Sequence, residues 1–484
     1  MSRVVVLGAG VSGHTAAAFL NKWLGKNDSV VVVSPQPTYN WIPSNIWVGV
    51  GLMKKESVIF PLAPVYQRHG IEFKQAKATA LYPEGRETPG RPVVQIERTD
   101  SGHLGEIEYL EYDYLVNATG PKLNFGATPG LGPEGCSLSV CTSDHAEHAA
   151  TAFREKIARM KKGERQTFVV GVGHGSATCE GAAFEYVVNL EFELRAHKVR
   201  DMADIIYVTN EYELGDFGVD GVHIKMGGYV TPSKIFAESL FAERGIDAIT
   251  KAHVQRVEEG MALVETLDGD VQELPFDMAM LIPPFTGVGL KAYKPDGADI
   301  SDSIFAANGF MKVDADYTKK PYEDWEPSDW PKVYQSPLYK NLFAAGIAFA
   351  PPHPISKLRT NKDGLMISPA PPRTGMPSAV IGKAVAKNIV GMIRGDSHPR
   401  HTASMAHMGA ACVASAGANP FTGTAASLTV YPIIPDWERY PEYGRDLKYT
   451  SGEIGLAGHW IKILLHHMFL HKARMRPGWA LIPE

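Results

Sequence analysis

A chain of 484 residues, 44% of them hydrophobic, is too long for one core and apolar enough for two or three packed domains. Its formal net charge of −5 removes nucleic acid as a default partner, because phosphate binding needs clustered excess Lys and Arg. Four cysteines are too few for a disulfide scaffold and none forms a C-x-x-C pair, so no metal is expected and the thiols matter, if at all, as reactive groups.

Residues 4–7, Val-Val-Val-Leu, have strand length and lead straight into Gly8-Ala9-Gly10-Val11-Ser12-Gly13, with a helical pattern over residues 12–23. That strand, turn and helix predict a dinucleotide site. Gly8 makes the tight turn, Gly10 lets a pyrophosphate approach the backbone, and Gly13 allows close helix packing. The first strand begins too near Met1 to leave room for a cleavable export signal, so none is expected. A second strand over residues 29–33 ends at Ser34, where an acid would ordinarily hold the ribose hydroxyls and a serine offers a weaker hydrogen bond. Residues 114–116 form a strand running into Ala118-Thr119-Gly120, and residues 342–345 another that closes on Gly346. Small residues at two further strand ends suit a flat cofactor, and with Gly8, Gly10 and Gly13 they point to FAD.

Ahead of the next turn, Thr142, Ser143 and Asp144 are helix N-cap candidates, so His145 shares a face with Cys141 only if that helix starts earlier. Residues 167–170 are apolar and strand-like, and Gly171, Gly173, Gly175 and Ser176 follow without the third glycine of G-x-G-x-x-G. This second turn reads as a degenerate nicotinamide site, with Cys179 near the start of the following helix. Unpaired N–H groups at a helix start are expected to stabilise a thiolate. Lowering an ordinary cysteine from about 8.5 to about 6.5 would raise its thiolate fraction at pH 7 from roughly 3% to roughly 75%.

Residues 314–340, rich in Pro, acids and aromatics, read as an inserted surface loop, and residues 351–372 as a loop able to cap a site. In residues 456–476, Trp460, Ile461, Leu464, Leu465, Met468 and Phe469 recur at three- and four-residue steps. Lys462, His466, His467, Lys472, Arg474 and Arg476 supply the remainder, giving an amphipathic helix with cationic ends. Such a helix can lie in a bilayer interface with basic residues on anionic headgroups. No apolar run is long enough to span a membrane.

Together these residues resemble the sulfide:quinone oxidoreductases, flavoproteins of the glutathione-reductase-like superfamily. The resemblance covers most of the chain. It rests on PSNIWVGVG at residues 43–51, ATGPKL at 118–123, FAAGIA at 343–348 and RTGM at 373–376, and on Cys141 in VCTSDHAE, Cys179 in CEGAAFEY and Cys412 in ACVASAG. It implies an α/β fold of two interleaved Rossmann-like domains with a C-terminal amphipathic membrane-docking segment. The FAD domain would take residues 1–122 and 291–400, a degenerate second domain carrying Cys141 and Cys179 residues 123–290, and the C-terminal segment with Cys412 residues 401–484.

By the same resemblance FAD would be held by Gly8, Gly10, Gly13, Ser34, Pro43, Ser44, Asn45, Thr119, Gly120, Gly346, Ile347, Thr374 and Gly375. Cys179 and Cys412 would be the redox pair facing the flavin, and Cys141 would serve either covalent flavin attachment or sulfur relay. Glu185 and His145 would manage protons near the sulfur. Lys462 would lie at the quinone pocket, and Val413 and Leu465 stand where members carry phenylalanines that sandwich the quinone. Cys136 lies outside the pattern. The implied activity is oxidation of sulfide to polysulfide or zero-valent sulfur, with electrons passed to a quinone by a protein peripheral to the cell membrane. Competing readings are a sulfide dehydrogenase that uses a cytochrome acceptor and a non-catalytic, persulfide-carrying redox sensor. An NADH:quinone reductase should keep the second glycine motif intact. Whether the chain forms a homo-oligomer is left open by the sequence.

Overall fold

An apolar strand buried on both faces belongs at the centre of a parallel sheet. Arg3–Leu7 lies there, with Val4, Val5, Val6 and Leu7 wholly buried and the parallel strands Ser29–Ser34 and Tyr114–Asn117 on its two sides. Leu342–Ala344 extends the sheet beyond Tyr114–Asn117, so a strand from far along the chain completes the N-terminal unit. On the other edge come Glu72–Tyr82 and the antiparallel strands Val93–Arg98 and Ile107–Glu111. The computed structural model describes residues 1–226, 228–373 and 375–484.

Five helices position the site: α1 (Val11–Trp23), α2 (Ser143–Met160), α3 (Glu180–Ala196), α4 (Gly375–Ile393) and α5 (Leu456–Ala473). A second parallel sheet has Gln166–Val172 between Ala203–Val208 and Met278–Ile282, with Asp247–Ile249 outside, and α3 follows its central strand. The α/β class with two Rossmann-like sheets is the one the sequence leads to expect. A third sheet joins Ala410–Ala416, Thr424–Val430 and Ser451–Gly455, and the hairpin of His223–Met226 and Tyr229–Pro232 adds to its edge. α5 packs on this sheet: a Cβ at Gly458 would lie 3.1 Å from Ser427 Oγ and 3.3 Å from Ala425 Cβ.

Two buried histidines tie α5 to the N-terminal unit. His14 in α1 bridges Tyr66 Oη at 2.8 Å and the Ala473 carbonyl at 2.7 Å, and His466 Nδ1 lies 2.8 Å from Ser44 Oγ. Burial lowers both imidazoles to about 4, so they serve as neutral links.

Residues 314–340 differ from the solvated loop expected. Trp330 and Tyr334 are wholly buried, and the Asp314 carboxylate accepts from the N–H groups of Lys332, Val333 and Tyr334 at 2.6 to 2.9 Å. The aromatics that mark the segment in sequence are what sink it into the core. α5 differs too. Lys472 is buried, 2.6 Å from a Glu484 carboxylate oxygen, and also donates to the Ile482 carbonyl, so it is not a free cation for headgroups.

Candidate active site

The first glycine turn is built for close approach. Gly8 has φ +100°, and a Cβ there would stand 2.1 Å from the Ala118 carbonyl oxygen; a Cβ at Gly13 would stand 2.1 Å from that of Gly8. Around Gly10 there is open space to 4 Å, α1 has no side-chain cap and no acid in its first turn, and Ser12 Oγ is buried without a partner. Gly120 and Gly346 both have positive φ at their strand ends, and Gly375 opens α4. Thr119 Oγ1 donates to Asn117 at 2.8 Å. Ser34 is buried, and its hydroxyl donates to the Gln36 carbonyl at 3.2 Å, which leaves only lone pairs toward a ribose. Pro43 precedes the buried pair Ser44 and Asn45, and Asn45 Nδ2 donates to the Val140 carbonyl at 3.2 Å, fixing residues 43–45 beside Cys141. Ile347 offers its carbonyl to Arg373, and Thr374 lies outside the described residues.

The sulfur groups meet at the start of α3. Cys179 is the N-cap residue, in the left-handed region at φ +73°. A Cβ on Gly181, one turn in, would lie 3.1 Å from Cys412 Sγ, so Cys412 is seated against the first turn of the helix that Cys179 opens. Cys141 is close enough to Cys179 to affect its titration, and all four cysteines are free thiols, Cys136 being exposed. Burial sets the acidity of Cys141, Cys179 and Cys412, in contrast to the acidified Cys179 expected from its helix position. Burial first, then the Glu180 carboxyl and Cys141, push the Cys179 thiol far up, and burial takes Cys412 and Cys141 to about 11. The dipole of a helix end acts weakly against loss of hydration, so the thiolate needs a specific counter-charge.

That charge is Arg373. Its guanidinium is buried, donates to the Ile347 and Phe349 carbonyls at 2.7 and 2.6 Å, keeps Nε without a partner, and opposes the rise at Cys179. Replacing Arg373 by Leu is expected to slow iodoacetamide alkylation of Cys179 about tenfold at any given pH, with Lys recovering most of the rate, since a nearby opposite charge is worth about one pKa unit or more. Peptide mapping of the alkylated site checks this; an unchanged pH profile would leave Arg373 a packing residue.

Strand Ala410–Ala416 connects this site with α5. Side chains alternate along it, so Cys412 faces α3 while Val413 and Ser415 face the other way, where Ser415 Oγ contacts His459 of α5. Glu185 of α3 accepts from Ser415 N–H at 3.3 Å and pairs with Lys462 Nζ at 3.0 Å, both side chains nearly buried. Burial raises the Glu185 pKa despite Lys462, and Cys412 titrates under the influence of both. Leu465 is partly buried one turn further along α5. α2 begins after Cys141 with Thr142 as its cap, and the His145 ring packs edge-on to Phe125 at 5.8 Å with Nδ1 unpartnered.

Residues 366–370 lie across the second glycine turn. Ser368 N–H donates to the Gly175 carbonyl at 2.8 Å, Ala370 N–H to that of Ala177 at 3.0 Å, and Thr178 Oγ1 back to Ala370 at 3.1 Å. A Cβ on Gly175 would strike the Met366 carbonyl at 2.6 Å, and the Gly175 amide is taken by His253 Nδ1 at 2.9 Å. The second glycine turn is thus covered by the chain's own backbone at Gly175 and Ala177.

The family model for pyridine nucleotide-disulphide oxidoreductases matches residues 2–319. Over 474 residues the chain is 31% identical to the sulfide-quinone reductase of Aquifex aeolicus, covering 97% of this chain and 91% of that protein. It belongs to the sulfide-quinone reductase family. The X-ray structure of the sulfide:quinone oxidoreductase from Aquifex aeolicus superposes with a TM-score of 0.76 at 29% identity, over 98% of this chain and 92% of the other. An external alternative NAD(P)H-ubiquinone oxidoreductase of Arabidopsis thaliana is 26% identical over only 59% of this chain and 47% of its own length.

FAD is the cofactor of this sulfide-quinone reductase family member. The residues fit it: the open cradle at Gly10, the uncapped start of α1 and the unpartnered Ser12 hydroxyl supply what a pyrophosphate needs. Arg373 and Glu180 were not legible as site features, whereas the strap at residues 366–370 lies within the 351–372 loop expected to cap a site. Arg373 lay inside a recognised motif without a role, and Glu180 becomes significant only through tertiary placement.

Proposed function

We propose that the chain oxidises sulfide to zero-valent sulfur or polysulfide at Cys179 and Cys412 and delivers the electrons to a quinone. The observation that carries this reading is the seating of Cys412 Sγ against the first turn of the helix that Cys179 opens, two thiols from distant parts of the chain in one place. In the oxidised pair, hydrosulfide attacks one sulfur, forming a new S–S bond as the cysteine-to-cysteine bond breaks, and leaves a persulfide and a thiolate. Each hydrosulfide becomes zero-valent sulfur with release of one proton and two electrons, and the quinone takes two electrons and two protons. Bound FAD supplies the two-electron relay between them.

The residues of the chain do the rest. Arg373 supports negative charge at Cys179, and Glu185 with Lys462 holds a buried proton and charge pair between Cys412 and α5, beside the quinone position assigned to Lys462, Val413 and Leu465. The strap over Gly175 favours a sulfur donor over NAD(P)H. Docking to a membrane surface is assigned to α5, where Trp460, Ile461 and Leu464 are each about half exposed, at 51, 51 and 56%. No described helix is long and apolar enough to cross a membrane.

The test is the visible spectrum of the purified protein under anaerobic conditions. Sulfide is expected to bleach the flavin, a short-chain quinone to restore it, and NADH to leave it unchanged. No bleaching by sulfide overturns the reading. Bleaching without recovery overturns the quinone half and moves the acceptor to a protein such as a cytochrome.

A further inference from the structure

Glu180 follows Cys179 directly, yet its side chain is 1% exposed and Oε1 has no hydrogen-bond partner. Against it lies Asn210, wholly buried, whose Nδ2 donates to the Gly175 and Ala177 carbonyls at 3.1 Å while Oδ1 meets no donor. Glu180 Oε2 abuts the turn that carries the other acids, since a Cβ on Gly218 would stand 3.6 Å from it. As a neutral acid Glu180 keeps no charge in this buried place and has an O–H to donate.

Glu211 and Asp216 continue outward. Glu211 is wholly buried and accepts from Thr209 Oγ1 at 2.8 Å and Phe217 N–H at 2.7 Å. Asp216 is buried and accepts from Ser356 Oγ at 2.6 Å and from the N–H of Asp220 at 3.0 Å, and Asp220 is exposed. Among the described residues none of Glu180, Glu211 and Asp216 has a cation within 4 Å, whereas the equally buried Glu191 is held by Arg200 and Arg244 and Glu185 by Lys462. The acids are not set to hold a metal ion, and no described group of His, Cys, Asp and Glu is. Of the charges nearby, Arg373 serves the Cys179 side, Lys357 and Arg359 flank Asp220, and Arg445, which donates to the Val219 and Gly221 carbonyls, acts on Asp220 and Asp216 from beyond 4 Å. A carboxylate without a counter-ion in such a place binds a proton instead. Burial raises Glu180 well above the carboxylate range, Glu211 to about 8 and Asp216 to about 6, so proton affinity falls from the sulfur site toward the surface.

We propose that Glu180, Glu211 and Asp216 form a proton path that joins the Cys179 site to solvent at Asp220. This rests on the sulfide reading for its purpose: the proton given up as hydrosulfide becomes zero-valent sulfur enters at Glu180 and leaves at Asp220, with the two electrons going separately to the quinone. Only S–H and O–H bonds change along the path. Glu180, Glu211 and Asp216 are positioning residues in this scheme, acting on the sulfur through its proton.

The experiment uses the full-length FAD-loaded protein and its Glu180→Gln and Asp216→Asn variants. In the oxidised protein without substrate, infrared spectra in H2O and D2O are expected to show a protonated carboxyl band at neutral pH that Glu180→Gln removes. This readout stands whether or not sulfide is the substrate, so loss of the function reading and loss of the path are distinguishable; no band sensitive to either substitution overturns the path. In stopped-flow reduction by sulfide, each variant is expected to be about tenfold slower, with an enlarged solvent deuterium effect and recovery on adding formic acid, as for removal of a proton-transfer group. An unchanged rate, or slowing with neither isotope change nor rescue, overturns it. Should Glu180→Gln not fold, Glu211→Gln, at a carboxyl that burial raises to about 8, carries the infrared readout and Asp216→Asn the kinetic one.

Discussion

Cys179→Ser and Cys412→Ser are each expected to cut the reduction of bound FAD by sulfide by roughly a thousandfold or more while FAD stays bound, because each removes a partner without which no disulfide can form. The exchange is nearly isosteric. Neither residue touches the Gly10 cradle, and Gly181 already leaves the space beside Cys412 that a hydroxyl would need. Rapid mixing with sulfide under anaerobic conditions checks the rate, and flavin released on denaturation checks occupancy. Reduction retained in either variant would remove the disulfide step. The pair of variants also carries a contrast. Burial holds both thiols up, but only Cys179 has a buried guanidinium acting on it, whereas Cys412 is raised further by the Glu185 carboxyl and lowered by Lys462. The Cys179 thiol left without its partner in Cys412→Ser should therefore alkylate at lower pH when Arg373 is present than when it is Leu.

What could be read in the sequence was local. Gly8, Gly10 and Gly13 announce a turn because each answers a steric demand set within a few residues, and α1 starts at Val11, one residue from its expected position. Thr142 caps α2 for the same reason. The three cysteines were recognised by resemblance, since nothing in periodicity or spacing could bring residue 412 to residue 179. Acidity at Cys179 was misjudged because helix position is visible in sequence and burial is not. Lys472 illustrates the same limit: at the basic end of an amphipathic pattern it looks like a headgroup contact, yet the fold turns it inward to Glu484. The 351–372 loop was legible as a cap, but it has no period, and only its hydrogen bonds to Gly175 and Ala177 reveal which turn it covers.

The inward turn of Lys472 changes what membrane docking should look like. Lys462 is engaged by Glu185 and Lys472 by Glu484, so the outer face of α5 offers lipid mainly Trp460, Ile461 and Leu464. The Pro420 carbonyl accepts from Trp460 Nε1 at 2.7 Å, which brings the 85% exposed Phe421 beside the helix and widens the apolar surface. Burying the exposed half of each of the three α5 side chains should contribute roughly 1.5 kcal/mol, about 4.5 kcal/mol together. Replacing all three by Ser is therefore expected to lower partitioning into liposomes about a thousandfold. Because these side chains face outward, folding and flavin content should be unchanged. Raising the salt concentration should release little of the unaltered protein, whereas a surface held by headgroup charges would let go as screening grows. Co-sedimentation with vesicles across a salt series separates the two. Binding that survives the triple substitution would place the anchor elsewhere, and binding lost in salt alone would return the weight to Arg474, Arg476 and the charged end of the helix.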